Sequence, residues 1–297
     1  MTGVTRRDLA ALAGFALLTR RASAQGDAHP LITRAIPGSG ERLPAVGLGT
    51  ARIFDTDDER TRRAAAQVIG ALAAAGGRVV DTASSYGEAE SVLGEVIAPA
   101  LRDKLFIATK LEAPDEAELK RSLARLKTPR VDLLQLHNVR DPQQSLEPFK
   151  AWRAQGLCRY VGITSTFHGD FAAVEAVLKR ERPDFVQIDY SLEDREAEKR
   201  ILPLAAEIKA GVLTALPFGR GRLFRAVRGQ AIPGWAAGFA GTWAQFFLKY
   251  LIGDERVTAV IPGTSSAAHM ADNLGAMRGA LPDQGQRKRM IAFIEGL

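Results

Sequence analysis

The stretch RVVDTASSYGEAE, residues 78–90, decides the fold. Its apolar run, Val79-Val80, ends on Asp81, and a loop carrying Tyr86 follows five positions later. A strand buried on both faces of a parallel sheet reads as such a β-branched run, which places Asp81 at the strand's carboxyl end, where it meets solvent. Three further runs share this build: LFIATK ends on Lys110, VDLLQLHN on His137 and its neighbour, and CRYVGITS on Thr164 and Ser165. In a closed barrel of parallel strands these ends converge on one face, where such barrels keep their active sites.

Outward from that stretch the chain alternates. Leu31 to Pro44, around Pro37-Gly38-Ser39-Gly40, predicts a hairpin ahead of the main fold. Val46–Thr50 is the first barrel strand, with a helix over Asp58–Ala75 closed by Gly76-Gly77. After the strand ending at Asp81 comes a helix from Glu88 to Leu101. The pattern then repeats: strand Leu105–Lys110, helix Asp115–Leu126; strand Val131–Asn138, helix Ser145–Ala154; strand Arg159–Ser165, helix Asp170–Lys179. Strand Phe185–Tyr190 precedes a helix over Arg195–Lys209. A long Gly/Pro-broken connection separates strand Gly211–Leu216 from helix Thr242–Leu251. Strand Val257–Ile261 and helices Ala267–Ala276 and Gln284–Glu295 finish the chain. Eight strand-helix alternations predict a single (β/α)8 barrel over residues 25–297. An open doubly wound sheet is the alternative. It is disfavoured because VGLGT lacks the third glycine of a G-x-G-x-x-G turn.

The 297 residues, 46% of them hydrophobic, suffice for one barrel of this kind. Of the formal charge of +6, half lies in the first 24 residues, where Arg6, Arg7, Arg20 and Arg21 face only Asp8. The rest has no arginine-rich helix or aromatic-basic repeat, which argues against a nucleic-acid partner. A single cysteine, Cys158, excludes an intrachain disulfide and reads as a packed core thiol. The four histidines, His29, His137, His168 and His269, show no paired ligand spacing, so no metal is expected.

Residues 1–24 read as an address. A basic pair is followed by a short apolar run from Leu9 to Leu18 and a small-residue site at Ala22-Ser23-Ala24, the layout of a cleavable export signal too short to span a bilayer. Arg6-Arg7 after Thr5 resembles the twin-arginine signals of bacteria. The expectation is passage through that export machinery, a mature chain beginning near Gln25, a periplasmic home and no stable membrane span.

Asp81, Lys110 and His137 end consecutive strands and should face one pocket with Tyr86. A free tyrosine titrates near 10 and is a poor acid-base catalyst at neutral pH. An adjacent ammonium lowers that value, and a carboxylate keeps the lysine charged and in place. The four groups thus form a proton-donating device, with His137 set to orient or polarise a carbonyl oxygen.

DTASSYGEAE, LFIATK, VDLLQLHN and IPGTSSAAHMADN together resemble, in order, the signature regions of the aldo-keto reductases, over most of Thr33 to Asn273. The resemblance implies a NAD(P)H-dependent reductase of small aldehydes or ketones, monomeric by default. In it Tyr86 is the general acid, Lys110 and Asp81 tune it, and His137 holds the substrate carbonyl. It assigns Thr164, Ser165 and Gln187 to the nicotinamide carboxamide, with Thr50, Asp81, Pro217, Phe218, Gly219 and Gly221 also on the cofactor. Gly263, Thr264, His269, Asp272 and Asn273 fall in the pyrophosphate and adenosine region. Three departures stand out. Ser165 replaces the usual Asn, and Ala215 replaces the tyrosine that stacks on the nicotinamide, which leaves Phe218 as a substitute. Gly263 and His269 replace residues that hold a 2′-phosphate, so a weak preference for NADP(H) over NAD(H) is expected. Two other readings remain: a nucleotide-binding relative with little turnover, and a lyase forming a Schiff base on Lys110.

Overall fold

The computed structural model describes residues 29–297. The expected export segment, residues 1–24, lies outside them. Strands β1 (Thr33–Ala35) and β2 (Arg42–Pro44) pair antiparallel about the expected turn. Gly40 there has φ of 75°, a left-handed conformation that glycine adopts without a Cβ clash.

Eight parallel strands follow: β3 (Leu48–Gly49), β4 (Val79–Asp81), β5 (Phe106–Leu111), β6 (Val131–Leu136), β7 (Cys158–Ser165), β8 (Phe185–Asp189), β9 (Gly211–Ala215) and β10 (Ala259–Val260). They lie side by side in chain order. Parallel bridges between Val46 and Val260 and between Gly49 and Gly263 join the first to the last. There Gly47 N donates to Val260 O at 2.8 Å and Gly49 N to Pro262 O at 3.1 Å. The sheet is therefore a closed (β/α)8 barrel, and the open doubly wound alternative falls.

Every residue of β4, β5, β6 and β9 is buried, as continuous apolar runs require. Inside the barrel, Val79, Phe106, Leu133, Phe185, Leu213 and Ala259 form one apolar cluster with Ile36 and Leu43 of the hairpin, so the hairpin plugs one end. Each such Leu or Phe contributes on the order of 1.5–3 kcal/mol when taken from water. Cys158 is buried, and burial pushes its thiol up to about 12, as a packed core cysteine requires.

The outer layer starts with α1 (Glu59–Ala74), capped by Asp58, whose side chain accepts from Thr61 N at 2.8 Å. Its buried Ala65, Val68, Ile69 and Leu72 mark one helical face. Where one helix was expected from Glu88 to Leu101, two form, α2 (Ala89–Val96) and α3 (Pro99–Arg102). Pro99 holds the preceding Ala98 extended, at ψ of 144°, and so ends the first. After α4 (Glu116–Arg125), α5 (Glu147–Ala154) and α6 (Phe171–Glu181), the expected Arg195–Lys209 helix shortens to α7 (Ile201–Glu207) behind a separate 3₁₀ turn at Glu196–Glu198. Pro203 is the cause: its ring excludes the carbonyl four residues back, so helix is tolerated only when the proline lies in its first turn. The long connection after β9 contains α8 (Arg222–Ala226) and 3₁₀ turns at Gly219–Gly221 and Gly234–Ala236; α9 (Trp243–Ile252), α10 (Ala267–Gly275) and α11 (Gln284–Glu295) complete the layer. No helix among the described residues is long and apolar enough to cross a membrane.

Candidate active site

Because all eight strands run the same way, their carboxyl ends deliver side chains to one face. Asp81 is the last residue of β4, Lys110 the fifth of six in β5, and His137 directly follows β6. Lys110 Nζ donates to Asp81 Oδ2 and to the Thr82 carbonyl, both at 2.7 Å. Gln187 Nε2 reaches the same Asp81 oxygen at 3.3 Å, and Gln135 Nε2 donates to Gln187 Oε1 at 2.9 Å. The lysine is wholly shielded from solvent. Its Nζ lies 4.9 Å from the centroid of the Tyr86 ring, and that ring meets the His137 imidazole edge-on at 5.6 Å. The four groups expected to gather do gather.

Their electrostatics differ in one respect from expectation. Burial raises the Tyr86 hydroxyl above its ordinary value; Lys110 pulls it back only in part. Tyr86 is therefore a proton-bearing phenol. For Lys110, burial alone would favour the neutral amine, but Asp81 and Tyr86 more than offset it and hold the ammonium above its usual range. Burial pushes the Asp81 carboxyl up while Lys110 opposes it. The 2.7 Å contact, shared with Gln187 and the Thr82 carbonyl, keeps the pair ionised. Two of the three N–H groups of that ammonium are thus donated, to Asp81 and to the Thr82 carbonyl. Burial, reinforced by the Lys110 charge, lowers His137 to about 4, so its imidazole is neutral.

These groups line a cavity of about 620 Å³. Of the residues expected on a cofactor, Asp81, Thr164, Gln187, Pro217, Phe218, Gly221 and Gly263 line it, and so does Ala215. A second cavity of about 460 Å³ shares Phe218 and Gly263 and is lined by Thr264, His269, Asp272 and Asn273 as well as Trp243. Thr50 and Gly219 are buried. Ser165 is not brought to the cavity: its Oγ donates to Asp170 Oδ2 at 3.1 Å and accepts from Phe167 N at 3.2 Å, a turn lock where a carboxamide ligand was expected. Arg52 lines the first cavity. Phe54, two residues on, is fully buried, and Trp235 packs on Phe239 and Phe246.

The donor set fits a nicotinamide dinucleotide. Thr50 Oγ1 and Asp81 Oδ1 are buried without a hydrogen-bond partner, as groups awaiting ligand hydroxyls or amides would be. A Cβ on Gly263 would stand 3.2 Å from Gly49 O, tighter than most Cβ contacts, so the strand ends approach closely there. Phe218 packs against Phe224 at 4.8 Å between ring centroids, an aromatic wall at the junction of the two cavities.

Sequence reading missed Ser85, Glu112, Asn138, Thr166, Arg220 and Phe224, all of which line the first cavity. Glu112 Oε1 is 2.7 Å from His137 Nδ1. Its position two residues past Lys110 was visible, but nothing in a lone loop acid announces its partner.

A model described as the aldo/keto reductase family matches residues 45–288. An aldo-keto reductase of Mycobacterium avium is 28% identical over 245 residues, covering 78% of this chain and 80% of that protein. A protein of Papaver somniferum named as an NADPH-dependent codeinone reductase is 33% identical over 161 residues, 46% of this chain and 48% of its own. Among solved structures, an aldo-keto reductase from Klebsiella pneumoniae in complex with NADPH matches with a TM-score of 0.73 at 25% identity, covering 89% of this chain and 96% of that one.

Proposed function

This chain belongs to the aldo/keto reductase family, and from that premise we propose that it reduces the carbonyl of small aldehydes or ketones to alcohols, with Tyr86 as proton donor. A reduced nicotinamide, which Thr164, Gln187 and Phe218 would hold in the main cavity, would supply the hydride. The observation that carries this reading is the Tyr86 phenol, kept protonated by burial, above an ammonium tied at 2.7 Å to Asp81. The proton on Tyr86 passes to the carbonyl oxygen as negative charge develops there, and Lys110 stabilises the phenolate left behind. Asp81 and the Thr82 carbonyl hold Lys110, and Gln187 holds Asp81, which keeps the ammonium turned away from water. Phe218 closes one side of the cavity, in place of an aromatic at Ala215.

The test is consumption of reduced nucleotide against a panel of carbonyls, with Tyr86→Phe beside the parent. Turnover should fall by about 10²- to 10⁴-fold while nucleotide binding persists. Turnover unchanged by Tyr86→Phe would overturn the assignment, and binding without turnover in the parent would favour a nucleotide-binding protein.

The cofactor reading follows from the second cavity, which among the described residues is lined by no arginine or lysine. Asp272 there accepts from Thr242 Oγ1 at 2.9 Å and Gln245 Nε2 at 2.8 Å, so its charge stays at the rim. Without a guanidinium fork for a 2′-phosphate, NADPH should bind less than about a hundredfold, roughly 2.7 kcal/mol, more tightly than NADH. Fluorescence quenching by each nucleotide measures the ratio. We further propose that residues 1–24 direct twin-arginine export; a mass beginning near Gln25 in periplasmic protein tests that.

A further inference from the structure

Gln135 is a polar side chain inside β6, wholly shielded from solvent and set back from the cavity that Asp81, Lys110 and Gln187 line. It stands in register with Lys110 on β5 and Gly162 on β7. A Cβ on Gly162 would come within 3.1 Å of Gln135 Cγ, so the bare glycine leaves the space in which the glutamine passes β7 to reach β8. There its Nε2 donates to Gln187 Oε1 at 2.9 Å. Gln187 Nε2 donates in turn to Asp81 Oδ2 at 3.3 Å, the oxygen that also receives Lys110.

The direction of this chain is set from its far end. The Asp81 carboxylate offers only lone pairs, so the Gln187 amide turns its nitrogen toward Asp81 and its carbonyl oxygen toward Gln135. One N–H and one lone pair of Gln187 then stay uncommitted beside the cavity, the pair that a primary carboxamide ligand matches. Gln135 Oε1 is buried and unpartnered among the described residues, so this amide acts through its nitrogen. We propose that Gln135, which does not line the cavity, is a positioning residue that fixes the face of the Gln187 amide and thereby the grip of the barrel on the nicotinamide end of a dinucleotide. The identity of that ligand rests on the reductase reading; the order of the amide chain does not.

The test compares two probes by calorimetry: the reduced nucleotide, NADPH or NADH, that the parent binds more tightly, and the matching adenosine diphosphate ribose, which lacks only the nicotinamide. Gln135→Met keeps the length of the side chain and removes its amide. Its Kd for the reduced nucleotide should rise about tenfold, the loss of one hydrogen bond, while its Kd for the ribose probe stays within about twofold of the parent. Added to Gln187→Met, the same change should weaken binding by less than about twofold more, because its effect passes through Gln187. An equal loss for both probes, no loss for either, or additive losses in the double variant overturn the proposal. If Gln135→Met does not fold, Gln135→Glu replaces it: the shape is the same, and carboxylate lone pairs facing Gln187 Oε1 should give the same selective loss. A parent that binds neither probe overturns this proposal together with the reductase reading. A parent that binds both but consumes no carbonyl sinks only the latter, and the two probes still decide the role of Gln135.

Discussion

Lys110 and Asp81 meet at 2.7 Å across the neighbouring strands β5 and β4, with side chains 0% and 3% exposed. Two charges so far from water hold each other in place, and removing one strands the other. Lys110→Met should therefore cost about 3–5 kcal/mol in urea unfolding, while combining it with Asp81→Leu should recover most of the loss. A single-variant loss below about 1 kcal/mol would contradict the ionised pair.

His137 should titrate at about 4, followed by NMR of its ring protons, against about 6.5 for a free imidazole. With the folded value depressed, the unfolded chain takes up the proton first as pH falls. The stabilising contribution is full above about 6.5 and declines from there to about 4. Asp189, pushed up to about 6 by burial and by Asp194, runs the opposite way between its ordinary value and that pH. The difference in stability between the parent and His137→Gln, measured from about pH 4 to 7, isolates the histidine. A midpoint near 6.5 would show the ring to be solvated.

Tyr86 sits above the ordinary phenol value because burial outweighs Lys110. Reductive kcat/KM should consequently hold as pH rises and fall only beyond about 10. A limb near about 8 in the pH profile would mean that Lys110 dominates after all.

Gly94, in the interior of α2, tests packing. An exposed helical Gly→Ala change gains up to about 1 kcal/mol. Here the new Cβ would stand 2.0 Å from Arg125 O and 3.0 Å from its carbonyl carbon. Backbone cannot yield as a flexible side chain does, so Gly94→Ala should lower the free energy of unfolding by about 1–3 kcal/mol, measured by urea denaturation. A gain in stability would show that α2 and α4 are free to separate.

What the chain announces in one dimension is what a strand imposes on its own residues. Strands buried in a parallel sheet are mostly apolar and carry polar groups near their carboxyl ends, so eight runs and the groups Asp81, Lys110 and His137 were legible in the sequence alone, while the buried Gln135 within β6 was not. Proline also acts locally, and the breaks before Pro99 and at Pro203 were readable in principle, since each follows from ring geometry alone. The orientation of Ser165, the burial of Phe54 and the pairing of Glu112 with His137 were not. Each depends on which of several rotamers a side chain takes against neighbours brought in by another loop, as Ser85 is brought to Glu112 across 27 positions. The upward displacement of Tyr86 belongs to the same class: proximity to Lys110 could be inferred from strand order, but the water excluded around both is a property of the closed barrel, and desolvation is set by everything that surrounds a group rather than by its partner in sequence.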